Sequence, residues 1–295
     1  MNTLSRVYST EEFHETDNDQ GVERSYIYYK GSSAHLQTEK QVVDIVESPC
    51  WGKMLFLDGV LQSTTRDEVI YHNALVHPLM STLETKKKIL ILGGGEGATA
   101  REVLRWPVQS VTMVDYDKEL VEHMKLNGEE WSMNSLYDSR LTILYEDAWL
   151  YLQDAIQYDG AIVDLTDPDP KVQSWRLLLQ MVFNSIKDSR GSFVINAGLY
   201  VPWKTDTVRL IKNMVKALCS QNPGYTYKAY TSFIPSFNGE WTFIIVHREG
   251  LSVKPHALPM IPAWIHRTIR DLDDEFIDTN IDTTPKIPYI SPYDT

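Results

Sequence analysis

The stretch "LILGGGEGATAREVL", residues 90–104, ends an apolar run in a cluster of glycines and then becomes polar. This order is typical of a buried strand that turns tightly into a helix beside a bound ligand. The spacing G-x-G-x-x-A fits a dinucleotide site, but Glu96 lies inside the loop. This carboxylate would repel a pyrophosphate at the helix N-terminus and would attract a cationic group. The loop therefore predicts a nucleoside ligand with a positive charge close to its ribose.

Apolar segments alternate with helical stretches on both sides of this loop. Strand cores are predicted at 89–92, 111–114, 141–145, 161–165 and 192–197. The alternation predicts a doubly wound, Rossmann-like α/β fold of the methyltransferase type, with a mostly parallel sheet. Two later apolar segments, 225–237 and 240–249, are close enough to form an antiparallel pair at the end of that sheet.

A different pattern precedes the alternating region. Residues 22–65 alternate between apolar and polar side chains and are interrupted by glycine and proline, which predicts a small antiparallel sheet. We therefore expect an N-terminal β-rich domain over 1–65, a catalytic domain over 66–250 and a C-terminal extension over 251–295. The extension is rich in proline and acids, and we expect it to be irregular.

The composition restricts the classes of partner. The 295 residues include 40 acids and 28 bases, a formal net charge of −12. The basic surface of a nucleic-acid binder is missing, and an acidic surface favours cationic small molecules. The start lacks the apolar core of a secretory signal, and no apolar stretch approaches the ~18 residues of a membrane span. The two distant cysteines form no disulfide framework. From these observations together we expect a cytoplasmic protein without a membrane partner.

Acids stand at the ends of the first four predicted parallel strands, where ligands of such sheets bind. They are Glu96, Asp115, Asp147, Asp164 and Asp167. Asp115 follows Gly93 at about the 20-residue spacing of an acid that binds ribose hydroxyls. Taken singly, Asp115 also fits a strand terminator, Asp147 a helix cap and Asp167 a turn. Taken together, the acids favour a sulfonium nucleoside, either S-adenosylmethionine or its decarboxylated form.

Several motifs occur in a fixed order over roughly residues 20–248. They are Gln41 in "QVVDIVE", "LDGVLQS" with "RDEVIYH", "GGGEGATARE", "VDYD", "EDA", "VDLTDP", and "IPSF" followed by Trp241. In this combination the chain resembles the polyamine aminopropyltransferases, that is, the spermidine, spermine and thermospermine synthases. The resemblance implies an enzyme that moves the aminopropyl group of decarboxylated S-adenosylmethionine to an amine and releases methylthioadenosine. It also implies a homodimer or homotetramer, with no metal and no cofactor, because the sulfonium nucleoside is a co-substrate.

The resemblance assigns roles to individual positions. The donor would bind to Gln41, His72, Gly93, Gly95, Glu96, Asp115, Asp147 and Ala148. The acceptor would bind to Tyr71, Asp164, Asp167, Phe237 and Trp241, of which Tyr71, Asp164 and Asp167 are the expected catalytic residues. Glu96 would hold the ammonium of the donor, and Asp164 would take the proton of the acceptor amine. A primary amine is protonated near neutral pH, so a carboxylate that binds it and removes its proton supplies positioning and base catalysis.

Three departures from the family pattern concern the acceptor. The Asp-Pro pair continues as Asp169-Pro170 instead of Gly-Pro, Asn73 replaces the acid after Tyr-His, and Phe237 replaces a common tyrosine. The loops "LQSTTRDE", "GGGEGATARE" and "AYTSFIPSF" look most like thermospermine synthases, and Phe237 suits the methylenes of a longer acceptor. We therefore expect spermidine as acceptor and a tetraamine as product, with putrescine as the alternative.

Two other classes of function remain open at this level. A methyltransferase shares the sheet and the glycine loop, but it leaves the β-rich front and the "RDEVIYH" segment unexplained. A homologue that binds polyamines without turnover would not need Asp164 and Tyr71. An aminopropyltransferase releases methylthioadenosine, whereas neither alternative does. Detection of this product therefore separates the aminopropyltransferase from both.

Overall fold

The computed structural model describes residues 9–17, 22–154, 156–165, 174–188, 190–201, 206–251, 253 and 261–272. Within these ranges the strands form a two-stranded, a four-stranded and an eight-stranded sheet. None of the helices in the described ranges combines the length and apolar character that a membrane crossing requires.

The two small sheets come first along the chain. Their strands are β1 (Thr10–Asp17), β2 (Val22–Tyr29), β3 (Ala34–Gln37), β4 (Val42–Ser48), β5 (Gly52–Leu57) and β6 (Val60–Thr64). β1 pairs with β2, and β3 to β6 form an antiparallel meander in chain order. The predicted N-terminal antiparallel sheet is confirmed, but β1 was not predicted. Its side chains are mostly exposed and polar, so the strand carries little hydrophobic alternation.

Helix α1 (Glu68–Thr82) packs against the large sheet and shares an apolar core with Val43, Ile45 and Leu55 of the four-stranded sheet. Nearly all of its side chains are buried, including those of Glu68, His72, Asn73 and His77. A helix that is buried on all sides has no solvent face, so its polar side chains need partners inside the protein. This helix carries Tyr71 and His72 to the large sheet.

The remaining elements build the large sheet and its covering helices. The strands are β7 (Lys88–Gly93), β8 (Ser110–Val114), β9 (Leu141–Leu144), β10 (Gly160–Asp164), β11 (Ser192–Tyr200), β12 (Tyr225–Ile234), β13 (Gly239–Arg248) and β14 (Ile269–Asp271). The helices are α2 (Ala98–Leu104), α3 (Lys118–Asn127), α4 (Glu129–Ser132), α5 (Ala148–Tyr151), α6 (Ser174–Ile186), α7 (Asp206–Gln221) and α8 (Ala263–His266). Short 3₁₀ turns cover Ser135–Tyr137 and Pro235–Phe237.

The strand order is β14-β12-β13-β11-β10-β7-β8-β9. The strands from β11 to β9 are parallel, and β13, β12 and β14 extend the sheet in antiparallel fashion. From β7 the chain moves outward to β8 and β9 and then returns to β10 on the other side. Ligands of open α/β sheets bind where the strand order reverses in this way. The register places Gly93 opposite Asp164 at this point.

Apolar cores lie on both faces of the large sheet. One contains α1 and α2, and the other contains α6 and α7. Burial on both faces explains why the parallel strands are continuous apolar runs. The doubly wound α/β fold predicted from the sequence is confirmed.

The part of the C-terminal extension that the structure describes, mainly residues 261–272, is more regular than its composition indicates. β14 pairs with β12, and Ile261 and Ile265 are buried in the core beside α1. A strand of three residues is too short to show an alternating pattern in the sequence. The boundaries at residues 65 and 250 stay predictions.

Candidate active site

A cavity of about 420 Å³ opens at the carboxyl ends of the parallel strands, between the large sheet and the N-terminal sheets. Every predicted site residue that the structure describes lies on its wall: Gln41, Tyr71, His72, Gly93, Gly95, Glu96, Asp115, Asp147, Ala148, Asp164, Phe237 and Trp241. Asp167 lies outside the described residues. The remaining predicted residues therefore share one cavity, although they come from separate parts of the chain.

The glycine loop is shaped by close contacts with neighbouring strands. Gly93 has a φ of +84°, and a Cβ there would lie 2.1 Å from the backbone oxygen of Asp164. A Cβ on Gly95 would lie 2.8 Å from Oδ2 of Asp115. Both contacts are shorter than a side chain tolerates, so the glycines allow the loop to lie against the two acidic strand ends.

Asp115 ends β8 and is buried, with 8% of its surface exposed. Its Oδ1 accepts the backbone N–H of Asp117 at 2.9 Å, and Oδ2 of Asp117 accepts Nε2 of Gln41 at 2.8 Å. Burial, together with Glu96, Asp117 and Asp164, raises the pKa of Asp115 to about 6 against the effect of that N–H. Two hydroxyl donors on a ligand would stabilise the ionised form of this carboxylate.

Asp147 is both a helix cap and a residue of the cavity wall. Its Oδ1 accepts the backbone N–H groups of Trp149 at 2.8 Å and Leu150 at 3.2 Å at the start of α5. Asp147 is therefore a helix cap, as one of its two interpretations predicted. The capping role is compatible with a role in ligand binding, because Asp147 and Ala148 both line the cavity.

His72 is held between two carboxylates. Its Nε2 lies 2.8 Å from Oε1 of Glu96, and its Nδ1 lies 2.8 Å from Oε2 of Glu68. Burial alone lowers the pKa of His72, but the hydrogen bonds and charges of Glu68 and Glu96 outweigh it and raise the pKa to about 10. This pKa favours the imidazolium form, in which both nitrogens donate to the carboxylates.

Asp164 lies at the end of β10, facing both the glycine loop and α1. Tyr71 donates its hydroxyl to Oδ1 at 2.9 Å, and Thr99 donates to Oδ2. Burial and the nearby charge of Glu96 raise the pKa of Asp164, whereas His72, Thr99 and Tyr71 lower it. A raised pKa brings a carboxylate closer to the range in which it accepts a proton efficiently.

His72, Glu96 and Asp164 place one donor atom each within 4.8 Å of one another. This spacing would suit a metal ion, but a ligating imidazole needs a nitrogen without a proton. Both nitrogens of His72 face carboxylates, so a metal ion here would have to displace one of these contacts. The expectation that no metal takes part stays a prediction.

Aromatic rings form one wall of the cavity. The centroid of the Tyr71 ring lies 6.4 Å from that of Phe237 and 6.2 Å from that of Trp241, and Phe237 and Trp241 are 4.7 Å apart. Trp241 donates its indole N–H to Oδ1 of Asn196 at 2.6 Å, which fixes the ring. This wall suits methylene groups that lie between charged ends.

Sequence reasoning missed several polar residues of the site. Glu15 on β1 is 4% exposed and lines the cavity with Arg24 and Tyr26. Its Oε2 accepts the hydroxyl of Tyr26 at 2.7 Å and faces Nη1 of Arg24 at 3.4 Å, while its Oε1 accepts the N–H of Leu61 at 3.0 Å. No local pattern marks Glu15, because the polar strand that carries it resembles a solvated segment.

Thr99 and Asn196 were missed for a related reason. Thr99 follows the glycine loop, where its hydroxyl could have been noticed as a donor, but its partner Asp164 is 65 residues away in the chain. Asn196 lies in the middle of β11, where the register with β13 shifts, and positions Trp241. Asn73, expected to remove an acid from the acceptor side, is fully buried and does not line the cavity. Its side-chain amide donates to the carbonyl oxygen of Val69.

Residues 68–255 match the model of the protein family described as the spermine/spermidine synthase domain. The chain belongs to the spermine/spermidine synthase family. The match contains α1, the glycine loop and the acidic strand ends, and so most of the cavity wall.

Relatives of this spermine/spermidine synthase family member carry a common name. A polyamine aminopropyltransferase of Sulfolobus acidocaldarius is 38% identical over 218 residues, which cover 70% of this chain and 68% of the relative. A polyamine aminopropyltransferase of Synechococcus sp. is 36% identical over 235 residues, which cover 75% and 72% of the two chains. The protein is therefore an aminopropyltransferase of this family.

Solved structures in the spermine/spermidine synthase family have the same fold. A spermidine synthase from Thermotoga maritima matches with a TM-score of 0.72 at 22% identity and covers 88% of this chain and 86% of its own. A spermidine synthase in complex with the transition-state analogue AdoDATO matches with a TM-score of 0.72 at 23% identity, with 85% of both chains covered. The mixed sheet and the separate antiparallel N-terminal sheet are thus features of the family fold.

Proposed function

We propose that the protein transfers the aminopropyl group of decarboxylated S-adenosylmethionine to spermidine and releases methylthioadenosine and a tetraamine. One observation carries this proposal. A carboxylate inside the glycine loop, Glu96, is paired with His72 next to a Tyr71-oriented Asp164. The cavity therefore presents one acid for a cationic donor tail and a second acid for an incoming amine.

The donor half of the cavity fits the nucleoside. Asp115 would accept the ribose hydroxyls, and Asp147 with Ala148 would face the adenine edge. Glu96 would hold the ammonium of the donor's aminopropyl group. In S-adenosylmethionine the corresponding end of the molecule is a zwitterion. That end carries a carboxylate, which Glu96 would repel, so the site favours the decarboxylated donor. This choice of donor distinguishes the proposal from an ordinary methyltransferase.

The chemical step needs one base and no acid. Asp164 takes a proton from the acceptor ammonium, and the freed nitrogen lone pair attacks the methylene next to the sulfonium. A nitrogen–carbon bond forms as the carbon–sulfur bond breaks, and its electron pair neutralises the sulfur. The leaving group is a neutral thioether, so no proton has to reach it. Tyr71 and Thr99 orient Asp164 for this transfer.

Two features of the cavity support a longer acceptor. Phe237 and Trp241 supply an apolar wall for methylenes. Glu15 adds a carboxylate from the N-terminal strand; its oxygens already face Arg24, Tyr26 and the N–H of Leu61, and we propose that a second ammonium of the acceptor lies beside it. Spermidine has the additional charge and length that this arrangement accommodates, whereas putrescine is shorter. Putrescine is the alternative acceptor, in which case Phe237 is only a packing residue.

A competition experiment tests the acceptor. The purified protein is given equal concentrations of putrescine and spermidine with the decarboxylated donor, and the polyamine products are separated by chromatography. We expect a tetraamine to be the main product. Accumulation of spermidine without a tetraamine would contradict the proposed acceptor and identify putrescine as the substrate.

A matched variant sharpens this experiment. Phe237→Tyr adds a hydroxyl to the apolar wall and keeps the ring that packs on Trp241. We expect the ratio of kcat/KM for spermidine to that for putrescine to fall in this variant. An unchanged ratio would show that Phe237 does not contribute to acceptor choice.

A further inference from the structure

A row of charged side chains runs from the cavity into the protein interior. Its members alternate in sign: Glu96, His72, Glu68, Arg101 and Glu102. His72 connects Glu96 and Glu68 at 2.8 Å on each side. Arg101 donates Nη1 and Nη2 to the two oxygens of Glu68 at 2.9 Å each, and its Nε to Oε1 of Glu102 at 2.9 Å. The row therefore joins α1 to the glycine loop and to α2.

These side chains are buried, with exposed fractions of 2% for His72, 6% for Glu68 and 8% for Arg101. A buried charge without a partner is costly, and removing one partner leaves the other uncompensated. The two parallel hydrogen bonds between Arg101 and Glu68 also fix the direction of the carboxylate, which a single contact would not do. Glu68 thus has one defined orientation behind His72.

We propose that Glu68, held by Arg101, is a positioning residue that keeps His72 cationic and aimed at Glu96. Through His72, Glu68 also acts on the base Asp164, and this effect on the reaction rests on the proposed function. The charge and orientation of His72 do not, because they belong to the resting protein.

The surroundings of His72 explain how Glu68 acts. Glu68 faces Nδ1 from the same helix, Glu96 faces Nε2 from the glycine loop, and Asp164 approaches from β10. The ring of Tyr71 packs edge-on at a centroid distance of 5.0 Å. Without the Glu68 charge, Nδ1 would still have the carbonyl oxygen of Glu68 at 2.8 Å as an acceptor. The ring would therefore keep its place but lose one of the two charges that maintain its proton.

The charge on His72 bears on Asp164. Burial and Glu96 raise the pKa of Asp164, and His72 counteracts them. If His72 loses its charge, the pKa of Asp164 rises and less of the carboxylate is ionised at a given pH. A charge at this distance changes the pKa of an acid by about 1–3 units. Where His72 is neutral, the kcat/KM profile should therefore differ from that of a protein in which His72 keeps its charge.

The first experiment follows the His72 ring by ¹⁵N NMR from pH 6 to pH 9. In the wild-type protein we expect His72 to remain protonated over this range. In Glu68→Gln, which preserves the shape of the side chain, we expect it to titrate within the range. A wild-type His72 that titrates near its ordinary pKa of about 6.5 would overturn the proposal without any variant.

The second experiment compares pH profiles of kcat/KM. Glu68→Gln should change the profile between pH 6 and pH 9, because only in the variant does His72 lose its charge within that interval. Glu68→Asp, which keeps the carboxylate, should restore most of the wild-type profile. Glu102→Gln is the control, since Glu102 belongs to the row but does not contact His72. Superimposable profiles for wild type and Glu68→Gln would contradict the proposal.

The two readouts separate the two claims. If the wild-type protein forms no product with any polyamine, the proposed function fails, and the NMR titration still decides the role of Glu68. Glu68→Gln is expected to fold, because Arg101 keeps Glu102 as a partner. The NMR titration of the wild-type protein gives a result whether or not the Glu68→Gln variant folds.

Discussion

The Tyr71 hydroxyl donates to Oδ1 of Asp164 at 2.9 Å, across 93 residues of sequence. Tyr71 belongs to α1, which packs on the large sheet, and Asp164 ends a central parallel strand. The hydrogen bond therefore ties the base to the helix that also carries His72. It also lowers the pKa of Asp164, against the effect of burial.

Removing this hydrogen bond should change the pH dependence of the reaction. Tyr71→Phe leaves the ring but removes the donor, so the pKa of Asp164 should rise and less base should be ionised at neutral pH. We expect a lower kcat/KM, by roughly 10-fold for a charged hydrogen bond of about 1.5 kcal/mol, and an acid limb at higher pH. Tyr230→Phe is the control, since its hydroxyl bonds the carbonyl oxygen of Ala74. An unshifted acid limb in Tyr71→Phe would contradict the role given to the hydroxyl.

Asp164 itself is tested by Asp164→Asn. The amide cannot accept the amine proton, so kcat should fall by about 10² or more, the usual contribution of a general base. Binding of methylthioadenosine, measured by calorimetry, should be retained. A turnover close to that of the wild type would show that another group removes the proton.

Glu96 is tested by the difference between two ligands. Glu96→Gln should weaken binding of the decarboxylated donor more than binding of methylthioadenosine, because the aminopropyl ammonium is present only in the donor. Calorimetry with both ligands gives the comparison. Equal losses would mean that Glu96 shapes the glycine loop and does not bind the ammonium.

Glu15 should matter for the longer acceptor. Glu15→Gln is expected to raise KM for spermidine several-fold and to leave KM for putrescine nearly unchanged. The control is Glu11→Gln, on the same strand, where the side chain is exposed and bonds the hydroxyl of Tyr28. An equal change in KM for both acceptors would show that Glu15 does not distinguish the longer acceptor from the shorter one.

The charge on His72 should be visible in the stability of the ligand-free protein. Its folded pKa of about 10 lies above its ordinary value of 6.5, so its stabilising contribution is complete below pH 6.5 and is lost as the pH rises to about 10. The free energy of unfolding should fall by up to about 1.4 kcal/mol per pH unit in that interval. Urea unfolding at pH 7 and pH 9.5 measures this slope, and His72→Gln should reduce it. Equal slopes would indicate a neutral His72.

The sequence was most informative where residues are brought together by the topology of the sheet. Parallel strands end at one edge, so acids that follow such strands had to meet there. Gly93 and Asp164 are opposite one another for this reason. The close contact of Gly95 in the glycine loop with Asp115 has the same cause, since β7 and β8 are neighbours.

Contacts between separate elements could not be predicted in this way. The Arg101–Glu68 pair depends on the packing of α1 against α2. Both residues lie in the motifs "RDEVIYH" and "GGGEGATARE", but neither motif indicates that the two side chains meet. Glu15 was missed because its strand lacks a hydrophobic face, and β14 because it has only three residues. The cytoplasmic location and the homodimer or homotetramer stay predictions from the sequence.

The proposed aminopropyl transfer can be tested by the stoichiometry of its products. Wild-type protein is incubated with decarboxylated S-adenosylmethionine and spermidine, and both products are quantified by mass spectrometry. We expect one methylthioadenosine for each tetraamine formed, and neither product from Asp164→Asn above a small residual rate. Methylated polyamine and S-adenosylhomocysteine from S-adenosylmethionine, with no methylthioadenosine from the decarboxylated donor, would contradict the proposed transfer.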